Sequence, residues 1–366
     1  MDDGIVICTK CGKPYPSAGT PYRCLCGGIY DFAHFPAFAL PPEVMPRGLW
    51  KFKDSLGLPV GAPTVSLGEG DTALLPWCFQ NRAAYLKMES QNPTGSYKDR
   101  GTAVLTSFLL ARGVNEVVED SSGNAGASLA AYCARAGIKA SIYIPETASG
   151  PKRWQIEMYG AVVHRIPGPR GNAAEAVLQA VNTGKVYASH AYMPFGLTGI
   201  ATIAYEIWHA LGSEPGTLIS PVGHGGLLYG VMLGFDALFS ARLINRKPFY
   251  VGVQAENCAP LLQAYRQEKL DPVEVVASAS LAEGTSVARP VRGGQILKRL
   301  QHHNGMMLMG SESQLMELYR LSARSGCFCE PTSCLSLIPL LNDKIELAEP
   351  VVAIMTGSGS KTNAIL

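Results

Sequence analysis

Asn92-Pro93-Thr94-Gly95-Ser96-Tyr97-Lys98-Asp99-Arg100-Gly101 is the stretch on which the reading of this chain turns. Just before it, Tyr85-Leu86-Lys87-Met88 reads as a short strand. The Asn-Pro-Thr-Gly turn breaks that strand and points the next residues, Lys98 among them, at a cleft. A lysine amine is a nucleophile only when it has lost its proton, and burial beside other cations favours that loss. Alone, Lys98 reads as one member of a solvated Lys-Asp-Arg trio. Two loops downstream change that reading.

Ser121-Ser122-Gly123-Asn124-Ala125-Gly126 follows a strand and opens a helix. A helix start offers unbonded N–H groups and the positive end of the helix dipole, which suits a carboxylate. The side chains of Ser121, Ser122 and Asn124 add donors; plain helix capping is the bland alternative. Pro221-Val222-Gly223-His224-Gly225-Gly226-Leu227 has the same strand–turn–helix setting. Its glycines let the backbone approach a phosphate closely. It is neither the P-loop nor the dinucleotide fingerprint, because the spacing is Gly-x-Gly-Gly. A lysine together with a glycine-rich anion cradle suggests pyridoxal phosphate held as a Schiff base. Thr356, after the last strand, offers a neutral hydroxyl that donates to or accepts from a pyridine nitrogen. Such a partner leaves the ring unprotonated more often than a carboxylate does.

Around these loops, strands and helices alternate. Strands are expected at 114–119, 139–144, 161–166, 185–188, 217–221, 249–254 and 351–355. Helices are expected at 125–136, 152–159, 172–181, 199–211 and 227–239, the first of them closed by Gly137. This grammar predicts mostly parallel sheets in two three-layer α/β domains with a cleft between them. Residues 79–195 form the smaller domain, which carries Lys98. Residues 35–78 and 196–366 form the larger, which carries the phosphate loop.

The 366 residues suffice for two domains, and 47% of them are hydrophobic. A net charge of +2 without a basic run gives nucleic acid no footprint. No apolar run reaches the roughly 18–20 residues of a membrane span. The acidic start Met1-Asp2-Asp3-Gly4 does not resemble a secretory signal, so a cytoplasmic protein is expected. Ten cysteines are present. Six are scattered among apolar residues and read as reduced core thiols. Cys8-x2-Cys11 and Cys24-x-Cys26 are followed by Gly12 and Gly27-Gly28, as in metal-binding knuckles. Residues 1–34 therefore read as a zinc-ribbon-like module with one structural zinc ion on Cys8, Cys11, Cys24 and Cys26. A closed four-thiolate site leaves no position open for chemistry. Free thiols or a redox dithiol are the other readings.

Over nearly its whole length the chain resembles the fold type II pyridoxal phosphate enzymes (tryptophan synthase β-like), and among them the threonine synthase-like family. Asn92 to Gly101 is similar to that family's lysine motif, and Ser121 to Gly126 to its substrate loop. Pro221 to Gly226 is similar to its phosphate loop, and Gly68-Glu69-Gly70-Asp71-Thr72 to its Gly-Glu-Gly-x-Thr run. The resemblance implies a Schiff base at Lys98, which then shuttles protons. It implies that Asn124 bonds the cofactor's ring oxygen, that Val222 is among the cofactor-binding residues, and that the backbone amides of Gly223, His224, Gly225, Gly226 and Leu227 bind its phosphate. Thr356 would face the pyridine nitrogen, and Ser121, Ser122, Gly123, Asn124 and Ala125 would receive the substrate carboxylate. A homodimer is also implied. The chain departs from the family at Thr356-Gly357-Ser358-Gly359-Ser360-Lys361, at Met193 to Gly199, and at His224, where asparagine is common.

The implied reaction is a lyase reaction, threonine synthesis from O-phospho-L-homoserine and water. It needs a second anion site, for which Lys87, Arg153 and Arg292 are candidates. A β-replacement enzyme acting on a serine derivative (cysteine or cysteate synthase-like) would use the same loops, as would a serine/threonine dehydratase. A non-enzymatic regulator on the same fold is the remaining alternative. His190 and His224 read as possible bases, His190 more readily as a packing residue.

Overall fold

The computed structural model describes residues 5–42, 46–79, 82–148, 150–302 and 305–362. In chain order the strands are β1 (Val6–Cys8), β2 (Tyr30–Phe32), β3 (Leu74–Phe79), β4 (Arg82–Lys87), β5 (Glu116–Glu119), β6 (Lys139–Pro145), β7 (Val162–Ile166), β8 (Val186–Tyr187), β9 (Thr217–Pro221), β10 (Phe249–Ala255), β11 (Met306–Gly310) and β12 (Val351–Ile354). The helices are α1 (Lys98–Ala111), α2 (Asn124–Ala136), α3 (Pro151–Met158), α4 (Arg170–Asn182), α5 (Gly196–Leu211), α6 (Gly226–Ser240), α7 (Pro260–Arg266), α8 (Gly293–His302), α9 (Glu312–Arg324) and α10 (Pro331–Cys334). The chain forms two compact units, one from 5–70 with Lys98–Ile200, the other from Asp71–Tyr97 with Ala201–Thr362.

In the first unit a four-stranded parallel sheet has the order β7-β6-β5-β8. Its core combines Val117, Ile142 and Ile144 of the sheet with Phe108, Leu129 and Cys133 of the helices. The cysteine-bearing β1–β2 ribbon packs into that same core through Val6, Tyr15 and Tyr30. Tyr15 stands edge-on to Phe195, and Phe195 stacks on Phe108 of α1 with ring centroids 3.6 Å apart. The sequence reading assigns no helix to 98–111. Every residue of α1 from Asp99 to Leu109 is buried, so the segment shows no polar stripe and no amphipathic period. Helix α2 ends as expected, with Gly137 left-handed at φ 70°.

In the second unit a six-stranded sheet has the order β11-β10-β9-β12-β4-β3, parallel except for the outer strand β3. Strands β9 and β12 are buried at every residue, as central parallel strands covered on both faces must be. The same burial accounts for the continuous apolar run Val-Val-Ala-Ile of β12. Among the described residues no helix is long and apolar enough to cross a membrane.

Candidate active site

Open parallel sheets bind ligands beyond the carboxyl ends of their strands. The loops picked out in the sequence all lie there. In the larger sheet, β4, β12 and β9 are adjacent and parallel, and they run out into the lysine loop, Thr356 and the glycine loop respectively. In the smaller sheet, β5 runs into Ser121–Gly126 and its neighbour β8 toward His190.

The lysine loop is stitched along its length. Buried Asn92 donates through Nδ2 to the carbonyl of Glu89 at 2.8 Å and to its carboxylate at 2.9 Å. Thr72, from the Gly-Glu-Gly-x-Thr run, donates to the same carboxylate at 2.7 Å. Gly95 turns with φ 83°, a conformation that favours glycine. The Tyr97 N–H then donates to the Thr356 carbonyl at 3.0 Å, and the Ser358 N–H to the Gly95 carbonyl at 2.9 Å. Lys361 Nζ donates to the Thr94 carbonyl at 2.6 Å. Backbone bonds thus fix the residue before Lys98 to the residue expected to meet a pyridine nitrogen. Lys98 itself is half-buried and begins α1.

Lys87, a candidate for the second anion site, is fully buried. Its Nζ lies 2.6 Å from the Glu206 carboxylate and 2.7 Å from the Thr72 carbonyl. A buried cation with a buried carboxylate as partner is a structural tie, not a free phosphate ligand. Glu69, in the other unit, is tied by neutral donors. Its carboxylate accepts from Trp50 Nε1 and from the Tyr132 hydroxyl, each at 2.7 Å. Of the remaining two candidates, Arg153 pairs loosely with Glu157 at 3.7 Å. Arg292 is buried, and its N–H donates to the His224 carbonyl at 3.0 Å, against the glycine loop.

The glycine loop turns through Gly225, which has φ 94° at the cap of α6. A Cβ at Gly225 would lie 2.3 Å from Ile296 Cδ1, and one at Gly223 would lie 2.9 Å from the Gly284 carbonyl oxygen. Among the described residues, the N–H groups of Gly223, Gly225, Gly226 and Leu227 donate to no protein acceptor. Four N–H groups at a helix start, in a loop where side chains have no room, fit a phosphate. Val222 and Leu227 wall the loop and are buried.

Thr356 is buried directly after β12. Its hydroxyl donates to Glu330 Oε1 at 2.9 Å and lies 3.0 Å from Ser333 Oγ. Neither partner was visible in the sequence reading. A buried hydroxyl held in this way fits the ring end of a phosphorylated pyridine.

In the first unit, α2 starts at Asn124, and its first turn presses on Ser121. A Cβ at Gly126 would lie 1.9 Å from the Ser121 carbonyl oxygen, so only glycine lets helix and loop close together. Two acids missed in the sequence precede this loop. Glu119 is buried, with Oε1 3.1 Å from His190 Nδ1 and Oε2 without a hydrogen bond among the described residues. Burial pushes its carboxyl well above the usual range, and Asp120 adds to the rise, while Lys98 and Arg170 pull against it. Asp120 accepts from the Tyr187 hydroxyl at 2.7 Å. The only local signal was an acidic pair closing an apolar strand.

The four expected metal-ligating cysteines lie together in the first unit. Cys8 and Cys26 have Sγ atoms 3.4 Å apart, Cys11 and Cys24 3.6 Å, and all four Sγ atoms fall within 4.8 Å of one another. Gly12 and Gly27 turn the two knuckles with φ 71° and 82°. A Cβ at Gly28 would lie 2.5 Å from Cys8 Sγ. Backbone donation from Cys26 lowers the Cys24 thiol to about 6, which favours a thiolate.

Loops at the strand ends and a glycine turn whose N–H groups suit a phosphate make these residues the candidate site of a cofactor enzyme. The chain belongs to the pyridoxal-phosphate dependent enzyme family, whose profile matches residues 65–357. Within that family it is similar to the threonine synthase of Methanocaldococcus jannaschii, at 33% identity over 97% of this chain and 92% of that protein. It is likewise similar to the threonine synthase of Synechocystis sp., at 32% identity over 83% of this chain and 81% of the relative. The fold matches that of maize serine racemase with a TM-score of 0.68 at 18% identity, covering 78% of this chain and 88% of that one.

Proposed function

We propose that this chain is a threonine synthase, which converts O-phospho-L-homoserine and water into L-threonine and phosphate. The observation that carries the reading is the 33% identity to a threonine synthase across almost the whole chain. In the net reaction the γ C–O bond breaks and phosphate leaves. Cβ loses one proton and takes the hydroxyl of water, Cγ gains a proton, and the remaining proton of water leaves with phosphate.

Bound pyridoxal phosphate supplies the electron sink that acidifies the substrate's Cα and Cβ protons. The rest is the work of side chains and backbone. Lys98 anchors the cofactor covalently and then holds and moves protons at Nζ. The N–H groups of Gly223, Gly225, Gly226 and Leu227 bind the cofactor phosphate, the Val222 N–H being committed to the Val253 carbonyl at 2.9 Å, and Asn124 bonds the ring oxygen. Thr356 meets the pyridine nitrogen. The loop Ser121–Ala125 takes the substrate carboxylate at the start of α2. Arg153 and Arg292 are the cations left for the substrate phosphate once Lys87 is paired with Glu206.

Cys8, Cys11, Cys24 and Cys26 hold one structural zinc ion, supported by four clustered Sγ atoms of which those of Cys8 and Cys24 belong to acidified thiols. Protein purified without chelator is expected to carry about one zinc per chain by elemental analysis. The family resemblance further supports a cytoplasmic homodimer, and light scattering tests the dimer.

The deciding experiment is an absorbance titration of purified protein with O-phospho-L-homoserine, with phosphate and threonine assayed. A visible cofactor band that shifts as both products appear is the expected result. A band unmoved by this substrate replaces it with a serine derivative and a β-replacement or dehydratase reaction. No band after adding pyridoxal phosphate overturns the Lys98 assignment.

A further inference from the structure

A hydroxyl has one proton to donate and two lone pairs with which to accept. In the second unit these are allocated for Thr356 by three buried neighbours. The Gly357 N–H donates to Ser333 Oγ at 3.1 Å. Ser333 Oγ lies 3.0 Å from Thr356 Oγ1, closer than the 3.4 Å to its other acceptor, the Gly357 carbonyl. Thr356 Oγ1 donates to Glu330 Oε1 at 2.9 Å. A carboxylate only accepts, so the Thr356 proton is committed to Glu330. The Ser333 proton then turns to Thr356. The chain of donation runs in one direction, from the Gly357 amide through Ser333 and Thr356 to Glu330. One lone pair on Thr356 is left, and whatever meets it must be a donor.

The arrangement is built into the backbone. The Glu330 N–H donates to the Gly357 carbonyl at 2.9 Å, and Glu330 caps α10, which carries Ser333. The Glu330 carboxyl lies over Gly357, where a Cβ would be 2.5 Å from Oε1 and 2.6 Å from Cδ. Glu330, Ser333 and Thr356 are exposed by 3%, 0% and 1%, so bulk water does not screen the carboxylate.

We propose that Glu330 is a positioning residue that acts through Thr356 to hold the pyridine nitrogen of the bound cofactor in its protonated form. The ring N–H donates to the remaining lone pair of Thr356, and the carboxylate behind the hydroxyl balances the charge. This rests on the reading, given above, that Thr356 faces that nitrogen. It reverses the expectation from the residue type alone, because a hydroxyl backed by a carboxylate acts as an acceptor. A protonated ring withdraws electrons more strongly than a neutral one, which suits a reaction that must acidify Cβ as well as Cα.

The test is the ¹⁵N chemical shift of ring-labelled pyridoxal phosphate in the holoenzyme at neutral pH. The wild type is expected to show the pyridinium shift. Glu330→Gln, which keeps the shape and removes the charge, should move it to the free-pyridine range. Thr356→Val, which cuts the relay and leaves the carboxylate, should do the same, and Ser333→Ala should leave the wild-type value in place. A free-pyridine shift in the wild type overturns the proposal, as does a pyridinium shift that persists in Glu330→Gln. If Glu330→Gln does not fold, Thr356→Val decides alone, and a pyridinium shift there also overturns it. A wild type that binds no cofactor sinks the assignment of the site instead, an outcome distinct from these.

Discussion

At the carboxyl ends of β4 and β12 the buried ionisable side chains are each bonded to a partner. Lys87 has Glu206, Asn92 and Thr72 share Glu89, and Thr356 has Glu330 and Ser333. At the carboxyl ends of β5 and β8 the balance is left open. Glu119 is as deeply buried, yet one of its oxygens has no hydrogen bond among the described residues, and its carboxyl titrates well above the usual range. The first region suits a resident group that must be held in one pose, because satisfied polar networks rigidify and specify a single arrangement. The second suits a substrate that comes and goes, where perturbed groups beside the binding loop keep protons available.

Three experiments sharpen or break that contrast. The largest effect is expected from Lys87→Met, which leaves Glu206 buried without its cation and should cost about 3–5 kcal/mol in urea unfolding. Adding Glu206→Leu should restore most of the loss. A single variant as stable as the wild type would mean that the large sheet is not held by paired charges. Next is Gly126→Ala, whose Cβ would sit 1.9 Å from the Ser121 carbonyl oxygen. It should cost about 1–3 kcal/mol through overpacking and weaken carboxylate binding, read as a raised KM. An unchanged KM would remove Ser121–Gly126 from the substrate site.

The smallest effect concerns Glu119→Gln. The folded-state pKa of Glu119 is raised above its ordinary value of 4.5, so the native state binds this proton more tightly than the unfolded state. Stability from the neutral carboxyl is complete below about pH 4.5 and is lost as pH rises through the folded value. The Gln variant should therefore match the wild type in acid and exceed it at neutral pH in thermal unfolding. Equal pH profiles would show that His190 and Lys98 already compensate the charge.

What the sequence made legible was local. The lysine loop, the glycine loop and the two cysteine knuckles each carry their meaning within a few residues, because turn chemistry and ligand spacing are short-range. The tight Cys24-x-Cys26 pair still reaches the cluster because Gly27, at φ 82°, closes the turn. What stayed hidden was long-range or lacked contrast. Glu206 lies far along the chain from Lys87, and only the sheet brings them together. Glu330, in Cys329-Glu330-Pro331-Thr332-Ser333-Cys334, reads as an ordinary residue before a proline until β12 delivers Thr356 to it. Helix α1 was hidden because burial on all faces erases the period by which helices are read.

Helix α1 also joins two stations that differ in every chemical respect. Lys98 is its first residue. Ten positions on, Phe108 is clamped by Tyr15 and Phe195, and Arg112 just past its end donates to the carbonyls of Pro16 and Ser17 in the cysteine-bearing segment. Fourteen residues of helix make a rod of about 20 Å. Whatever holds the thiol knuckle in shape therefore also braces the far end of the helix that begins at Lys98. On the proposal that the four thiols hold zinc and Lys98 the cofactor, loss of the ion would act on that arm at its root, a mechanical effect and not a chemical one.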